Sequence, residues 1–244
     1  MDSGVGGLSV MREILKVLPQ ERYVYFSDNA WCPYGEKSPG FIRERCRRIT
    51  ELMLSKGAEA MVVACNTATA AAIQTLRSEY GIPFVGMEPA VKPAALGTRS
   101  GVIGVLATAG TLKGSKYLNT KGRFQDEVKI VERVGKGFVE LVESGELTGP
   151  HAEEVVGNSL RPLLEAGADT VVLGCTHYPF LLETLRKIAG PEINFIDPAP
   201  AVARRLVEVL KEKGIGPADA GPDVELIASG SDESLRRCYA LIRQ

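Results

Sequence analysis

Short runs of β-branched and other apolar residues alternate along this chain with stretches whose apolar positions recur every three to four residues. The runs predict strands at Arg22–Phe26, Ala60–Ala64, Phe84–Gly86, Val102–Leu106, Glu127–Val131, Thr170–Gly174, Ile193–Ile196 and Glu225–Ala228. The periodic stretches predict helices over roughly 41–56, 68–80, 151–166, 180–189, 199–213 and 232–242. Alternation of this kind implies an α/β protein with parallel sheets covered on both faces. Met61-Val62-Val63-Ala64 and Val171-Val172-Leu173-Gly174 are apolar throughout, as central parallel strands are.

Those two runs belong to a longer repeat. Residues 57–67 read GAEAMVVACNT and residues 167–177 read GADTVVLGCTH, so Cys65 and Cys175 stand at the same place, 110 positions apart. An internal repeat implies two similar open-sheet halves related by pseudo-symmetry, with a cleft between them. Each cysteine ends a central strand at its carboxyl edge, where open α/β sheets bind ligands. Asn66-Thr67 and Thr176-His177 are suited to capping a following helix, whose dipole is expected to lower the thiol pKa. Two buried core cysteines are the plainer alternative. One thiol on each side of a small substrate is instead what inversion at a carbon requires.

The repeat also predicts a gap. Residues 101–111, GVIGVLATAGT, read as the first strand of the second half, running into a loop with Thr108 and Thr111. The first half opens directly on the loop Met1-Asp2-Ser3-Gly4-Val5-Gly6-Gly7. A first strand of about six residues is therefore missing from its expected place, which leaves backbone groups unpaired. Asp2 is expected to lie at a mobile terminus.

Composition narrows the function. The 244 residues are 45% hydrophobic and 24% charged with a net charge of −1, so one large or two small globular domains are expected. That charge gives no general attraction to nucleic acid or an anionic membrane. No apolar run approaches the ~20 residues of a membrane span, and no signal-peptide pattern opens the chain; a cytoplasmic location is expected. Five cysteines without a CxxC pair, and only His151 and His177, predict reduced thiols and no metal site. The run Arg43, Arg45, Arg47 and Arg48 on an amphipathic helix is the one feature favouring a nucleic-acid- or protein-binding module, and such a run is more often a solvated face. Gly4-Val5-Gly6-Gly7 does not continue as GxGxxG, because Ser9 stands where the third glycine belongs. No lysine stands out as a Schiff-base partner for pyridoxal phosphate. A hydrolase built on Cys175 and His177 would leave the duplicated thiol unexplained.

Six segments, in order, carry a resemblance: DSGVGGL at 2–8, SDNAWCPYG at 27–35, ACNTATA at 64–70, EPAVKPA at 88–94, LVESG at 141–145 and GCTHYP at 174–179. Together they resemble the glutamate racemases of the aspartate/glutamate racemase superfamily. The resemblance implies cofactor-independent interconversion of L- and D-glutamate, supplying D-glutamate for peptidoglycan, by a homodimer that binds neither metal, nucleic acid nor membrane. It implies a first domain of residues 1–88 with 199–244 and a second of residues 89–198. Cys65 and Cys175 correspond to the catalytic thiols, with Asp2 assisting the first, His177 the second, and Glu143 beside the second. Asp2, Ser3, Pro33, Tyr34, Gly35, Asn66, Thr67, Thr108, Thr111 and Thr176 correspond to substrate-binding positions. His177 favours glutamate over aspartate, since aspartate racemases tend to carry an acid after the second Cys-Thr pair. Asp28 either touches substrate or shapes the loop that holds Tyr34. The chain departs from the pattern where Met1 replaces an apolar strand, where the Cys-Pro and second Pro before Glu143 are absent, and at Trp31-Cys32.

Overall fold

The computed structural model describes residues 1–88, 90–216 and 223–243. The expected crossing between halves near residue 89 lies outside the described residues. All eight expected strands form: β1 (Arg22–Ser27), β2 (Met61–Val63), β3 (Phe84–Gly86), β4 (Val102–Ala107), β5 (Lys129–Val134), β6 (Thr170–Gly174), β7 (Asn194–Ile196) and β8 (Asp223–Ala228). β5 starts two residues later than its pattern suggests. The N–H groups of Glu127 and Val128 close a turn onto the carbonyl of Phe124, and pairing with β4 begins at Val102↔Lys129.

β5-β4-β6-β7 is one parallel four-stranded sheet. Side chains alternate across it, as the two-residue period of a strand dictates. Leu106, Val171 and Leu173 pack with Ala152, Val156, Leu160 and Leu163 of helix Pro150–Glu165. Ile103, Val105, Ala107 and Val172 face the opposite way, onto Val91, Ala94 and Tyr117 of helices Val91–Gly97 and Ser115–Phe124. β6 is buried along its whole length, which accounts for its unbroken apolar run.

The other strands form two parallel pairs, β1 with β8 and β2 with β3. Where the pattern predicts a missing strand, Met1 and Asp2 bridge the pairs. The Met1 ammonium donates to the Val62 carbonyl at 2.8 Å, and the Ala64 N–H donates to the Met1 carbonyl at 2.9 Å. On the other side the Asp2 N–H donates to the Phe26 carbonyl, and the Asp28 N–H donates to the Asp2 carbonyl, both at 3.0 Å. Beyond Met1 a cavity of about 310 Å³ separates Tyr23–Tyr25 of β1 from Ala60 and from Met61 and Val62 of β2. These bonds correct the expectation of a mobile terminus: Met1 and Asp2 are buried.

The six expected helices form within two residues of their expected ends. Helices Leu8–Val17, Val91–Gly97, Ser115–Phe124 and Phe138–Ser144 form in addition to those that the pattern predicts. Each begins after Gly or Ala without a side-chain cap, so the usual polar start signal is absent. Tertiary burial stabilises them instead, as with Leu8, Val10, Met11 and Ile14 of the first.

Candidate active site

Cys65 follows β2 and is itself the N-cap of helix Asn66–Glu79, its sulfur accepting from the Ala68 N–H at 3.4 Å. Asn66 and Thr67 are thus the first helical residues and not the caps. Freed from capping, Thr67 Oγ1 lies 2.9 Å from Thr108 Oγ1 and 3.4 Å from Thr111 Oγ1, and Thr108 and Thr111 hydroxyls lie 3.0 Å apart. Thr108 caps the short helix Ala109–Leu112. The Asn66 amide is buried, and neither its nitrogen nor its oxygen has a hydrogen-bond partner in the protein. Since buried polar groups are paired as a rule, this amide is a natural donor and acceptor for a ligand.

The repeat diverges at Cys175, after β6. A four-residue 3₁₀ turn at Tyr178–Leu181 follows, and neither Thr176 nor His177 caps it with its side chain. The Thr176 hydroxyl turns to the Asp2 carboxylate at 3.2 and 3.3 Å, and His177 Nδ1 lies 3.8 Å from the Cys175 sulfur. His177 Nε2 lies 2.8 Å from Glu143 Oε1, and that oxygen also accepts from the Val5 N–H at 2.8 Å. Ser234 donates to the other Glu143 oxygen at 3.4 Å. Glu143, His177 and Cys175 therefore form one line of proton-carrying groups.

Both sulfurs open onto one small chamber of about 10 Å³, lined by Ser3, Pro33, Tyr34, Gly35, Cys65, Asn66, Thr67, Thr108, Val139, Cys175, Thr176 and His177. That space holds about one water. Thr111 stands behind Thr67 and Thr108, and Asp2 lies beneath Thr176, bonded to the Gly7 N–H at 3.2 Å. Asp28 makes no part of the chamber wall. It accepts a short hydrogen bond from Tyr34 and a bidentate pair from Arg45 at 2.7 and 2.9 Å, so it braces the loop. His151 pairs with Glu146 at the surface.

The glycine loop fits against this chemistry. A Cβ on Gly6 would stand 2.3 Å from His177 Nδ1, and one on Gly4 2.0 Å from Glu143 Oε1. The sequence signals neither contact beyond the density of glycines. Cys32 is a second surprise, its sulfur 3.8 Å from Glu143 Oε1.

Burial dominates the electrostatics. It pushes the Cys65 thiol pKa up, reinforced by the Asp2 carboxylate and only partly offset by the Ala68 N–H. The expected lowering by the helix terminus is therefore overturned at Cys65, where loss of water outweighs one N–H. Burial likewise raises Asp2, against the opposing His177 and terminal ammonium. At His177 burial disfavours the charged form, yet hydrogen bonds with Cys175, Cys32 and Glu143 win and hold its pKa well above the usual imidazole value. At Glu143 burial is outweighed by His177, which holds the carboxylate below its ordinary value.

The two parallel α/β halves thus place one thiol each in a common chamber. A profile of the Asp/Glu/Hydantoin racemase family matches residues 3–206. The chain belongs to that family. It is 49% identical to glutamate racemase of Pseudomonas putida, over 99% of this chain and 92% of that protein. With glutamate racemase of Methylococcus capsulatus the identity is 46%, covering 99% and 89%. Among solved structures, Escherichia coli glutamate racemase, in complex with L-glutamate and the activator UDP-MurNAc-ala, superposes with a TM-score of 0.87 at 36% identity, covering 99% and 92%. Glutamate racemase from Bacillus anthracis gives a TM-score of 0.86 at 33% identity, covering 97% and 89%.

The basic run of helix Pro39–Ser55 is committed within the protein. Arg45 binds Asp28, Arg47 binds Glu79, Arg48 binds Glu44, and Arg43 reaches the Ala71 carbonyl. Among the described residues no helix is long and apolar enough to cross a membrane.

Proposed function

We propose that this chain interconverts L- and D-glutamate without a cofactor, Cys65 and Cys175 removing and returning the α-proton from opposite faces. The observation that carries the reading is the shared chamber: two sulfurs, an unpartnered buried amide and several hydroxyls converge on one point. A single base tends to return a proton to the face it came from; two opposed thiols reverse the configuration. One sulfur acts as thiolate base and the other as thiol acid, and the roles exchange with the enantiomer.

The α-proton of an amino acid is weakly acidic, so charge developing at the adjacent carboxylate needs donors already in place. Asn66, Thr67 and Thr176 supply them, with Thr108 and Thr111 holding Thr67 in position. His177 and Glu143 pass protons to and from Cys175. Asp2 and Ser3 serve Cys65, Ser3 by the hydrogen bond its oxygen accepts from the thiol at 3.7 Å. Glutamate exceeds the 10 Å³ chamber, so entry requires the halves to part, and reclosure excludes water.

The same proposal takes residues 1–88 with 199–244, and residues 89–198, as the two moving domains. It includes a homodimer, a cytoplasmic setting and D-glutamate for peptidoglycan as the product's use; the resemblance to glutamate racemases supports these. Proton–deuterium exchange at Cα tests the activity. The pure chain in deuterated water, with nothing added, should exchange both L- and D-glutamate. Exchange of aspartate in place of glutamate would reassign the substrate, and exchange of neither would end the proposal.

A further inference from the structure

We propose that Cys32, Glu143 and His177 form a binding site for a thiophilic divalent cation of the zinc class, and that its occupancy stops proton traffic at Cys175. One ligand atom from each residue, the Cys32 sulfur, a Glu143 oxygen and a His177 nitrogen, lies within 4.8 Å of the others. Tetrahedral bonds of about 2.0–2.3 Å put ligand atoms about 3.3–3.6 Å apart. The Cys32 sulfur to Glu143 oxygen separation of 3.8 Å and the Glu143 oxygen to His177 Nε2 separation of 2.8 Å bracket that spacing, so small side-chain movements suffice.

The donor set selects the ion. One sulfur, one imidazole nitrogen and one carboxylate oxygen suit zinc and its borderline-soft neighbours, whereas magnesium and calcium take oxygen. Access comes from one side: Cys32 and Glu143 are half-buried while His177 is buried, so solvent reaches the outer two and can supply a fourth ligand. The site is also held from behind. The Val5 N–H and the Ser234 hydroxyl fix the carboxylate, and Gly4 leaves room that a Cβ would remove from both Glu143 and Cys32.

Coordination needs the Cys32 thiolate and an unprotonated Nε2, so binding releases to solvent whatever protons those two atoms carry. With the cation on Nε2, the ring keeps its one proton on Nδ1, facing Cys175, and no longer becomes an imidazolium. Glu143 and Cys175 are then disconnected. Binding stands on geometry alone; the inhibition rests on the racemase reading given above.

The test uses the chelator-treated chain and Co²⁺ as a coloured substitute for Zn²⁺. Wild type should show a thiolate-to-cobalt charge-transfer band that Zn²⁺ abolishes, and Zn²⁺ should inhibit exchange at Cα. Cys32→Ser should lose the band and weaken Zn²⁺ binding more than about tenfold, since even hydrogen-bond partners of metal ligands change affinity by that much. The double variant Cys65→Ala, Cys175→Ala should keep the band. A band that survives in Cys32→Ser, disappears in the double variant, or never forms in wild type overturns the site. Should the double variant not fold, anomalous scattering from zinc-soaked wild-type crystals decides: a peak among the three ligand atoms supports the site, and a peak elsewhere or none refutes it. A chain that binds cobalt through Cys32 yet leaves glutamate untouched would sink the racemase reading and spare the site. An active racemase with no cobalt band would do the reverse.

Discussion

Nε2 of His177 stands 2.8 Å from Oε1 of Glu143, a residue 34 positions earlier on a helix the sequence pattern did not announce. The pair binds the cysteine-bearing edge of the second half to the glycine loop of the first, through the Val5 N–H on the same oxygen. His177 has a raised folded pKa, so its contribution to stability is complete below its ordinary 6.5 and fades as pH climbs through the folded value. Glu143 has a lowered folded pKa, so its contribution is present above its ordinary 4.5 and fades as pH falls through the folded value. Glu143→Gln should therefore lower Tm most in the window from above 4.5 to the raised imidazole value, and converge with wild type in acid. It should also lower kcat by about 10²-fold or more and move the basic limb of the pH profile down. A pH profile identical to wild type would remove Glu143 from the proton line.

Truncating either sulfur should separate the two faces. Cys65→Ala and Cys175→Ala should each lose racemisation by more than about 10²-fold. Serine at either position should still eliminate HX from a substrate analogue bearing a β-leaving group, with opposite enantiomers preferred by the two variants. Equal residual racemisation in both alanine variants contradicts a scheme with one base per face.

Gly6 has no room for a methyl group. Its Cβ would lie 2.3 Å from His177 Nδ1 and 2.5 Å from Thr176 Oγ1. Gly6→Ala should cost about 1–3 kcal/mol of stability by overpacking, and more in turnover, because it displaces the imidazole. Gly122→Ala makes the comparison: it sits in helix Ser115–Phe124 with nothing within 4 Å of the new Cβ, and should stabilise by about 0.5–1 kcal/mol. Thermal melts and kcat of the two variants read out both effects.

The channel between β1 and β2 should accept more chain. Adding an Ile/Val-rich segment of about six residues ahead of Met1 should raise Tm, since each buried side chain of that size is worth about 1.5–3 kcal/mol. It also converts the buried Met1 ammonium, whose pKa burial lowers from 8.0, into a neutral amide. A lowered folded pKa on a base means the unfolded chain holds more protons, so a chain made to begin at Met1 should gain stability as pH rises toward 8.0. The extended chain should lack that gain. Unchanged melting after extension, with a Ser/Asp-rich extension as control, would reject the idea.

Much of this architecture is readable from pattern because its cause is local. β2 and β6 advertise their burial by unbroken apolar runs. Helix Leu8–Val17 is unreadable at its start because Gly7 offers no cap; packing against helix Ala199–Lys213, distant in sequence, holds it. The thiols are visible through their repeat, but their surroundings are not. The repeat sets Thr67 in register with His177 and predicts a capping role for both, yet the Thr67 hydroxyl joins a threonine triangle and the His177 ring pairs with Glu143. Cys32 lacks any periodic signal, because its partners Glu143 and His177 arrive from the other half.

A chamber with space for a single water sets a toll on every ligand. On the reading that the halves part to admit substrate, the measured dissociation constant equals the intrinsic one divided by the fraction of molecules standing open. Mutations far from the sulfurs that loosen the contact between halves should then tighten apparent binding while slowing the chemistry. The strongest inhibitors should be those that wedge the halves apart, taking their contacts from surfaces the working enzyme hides.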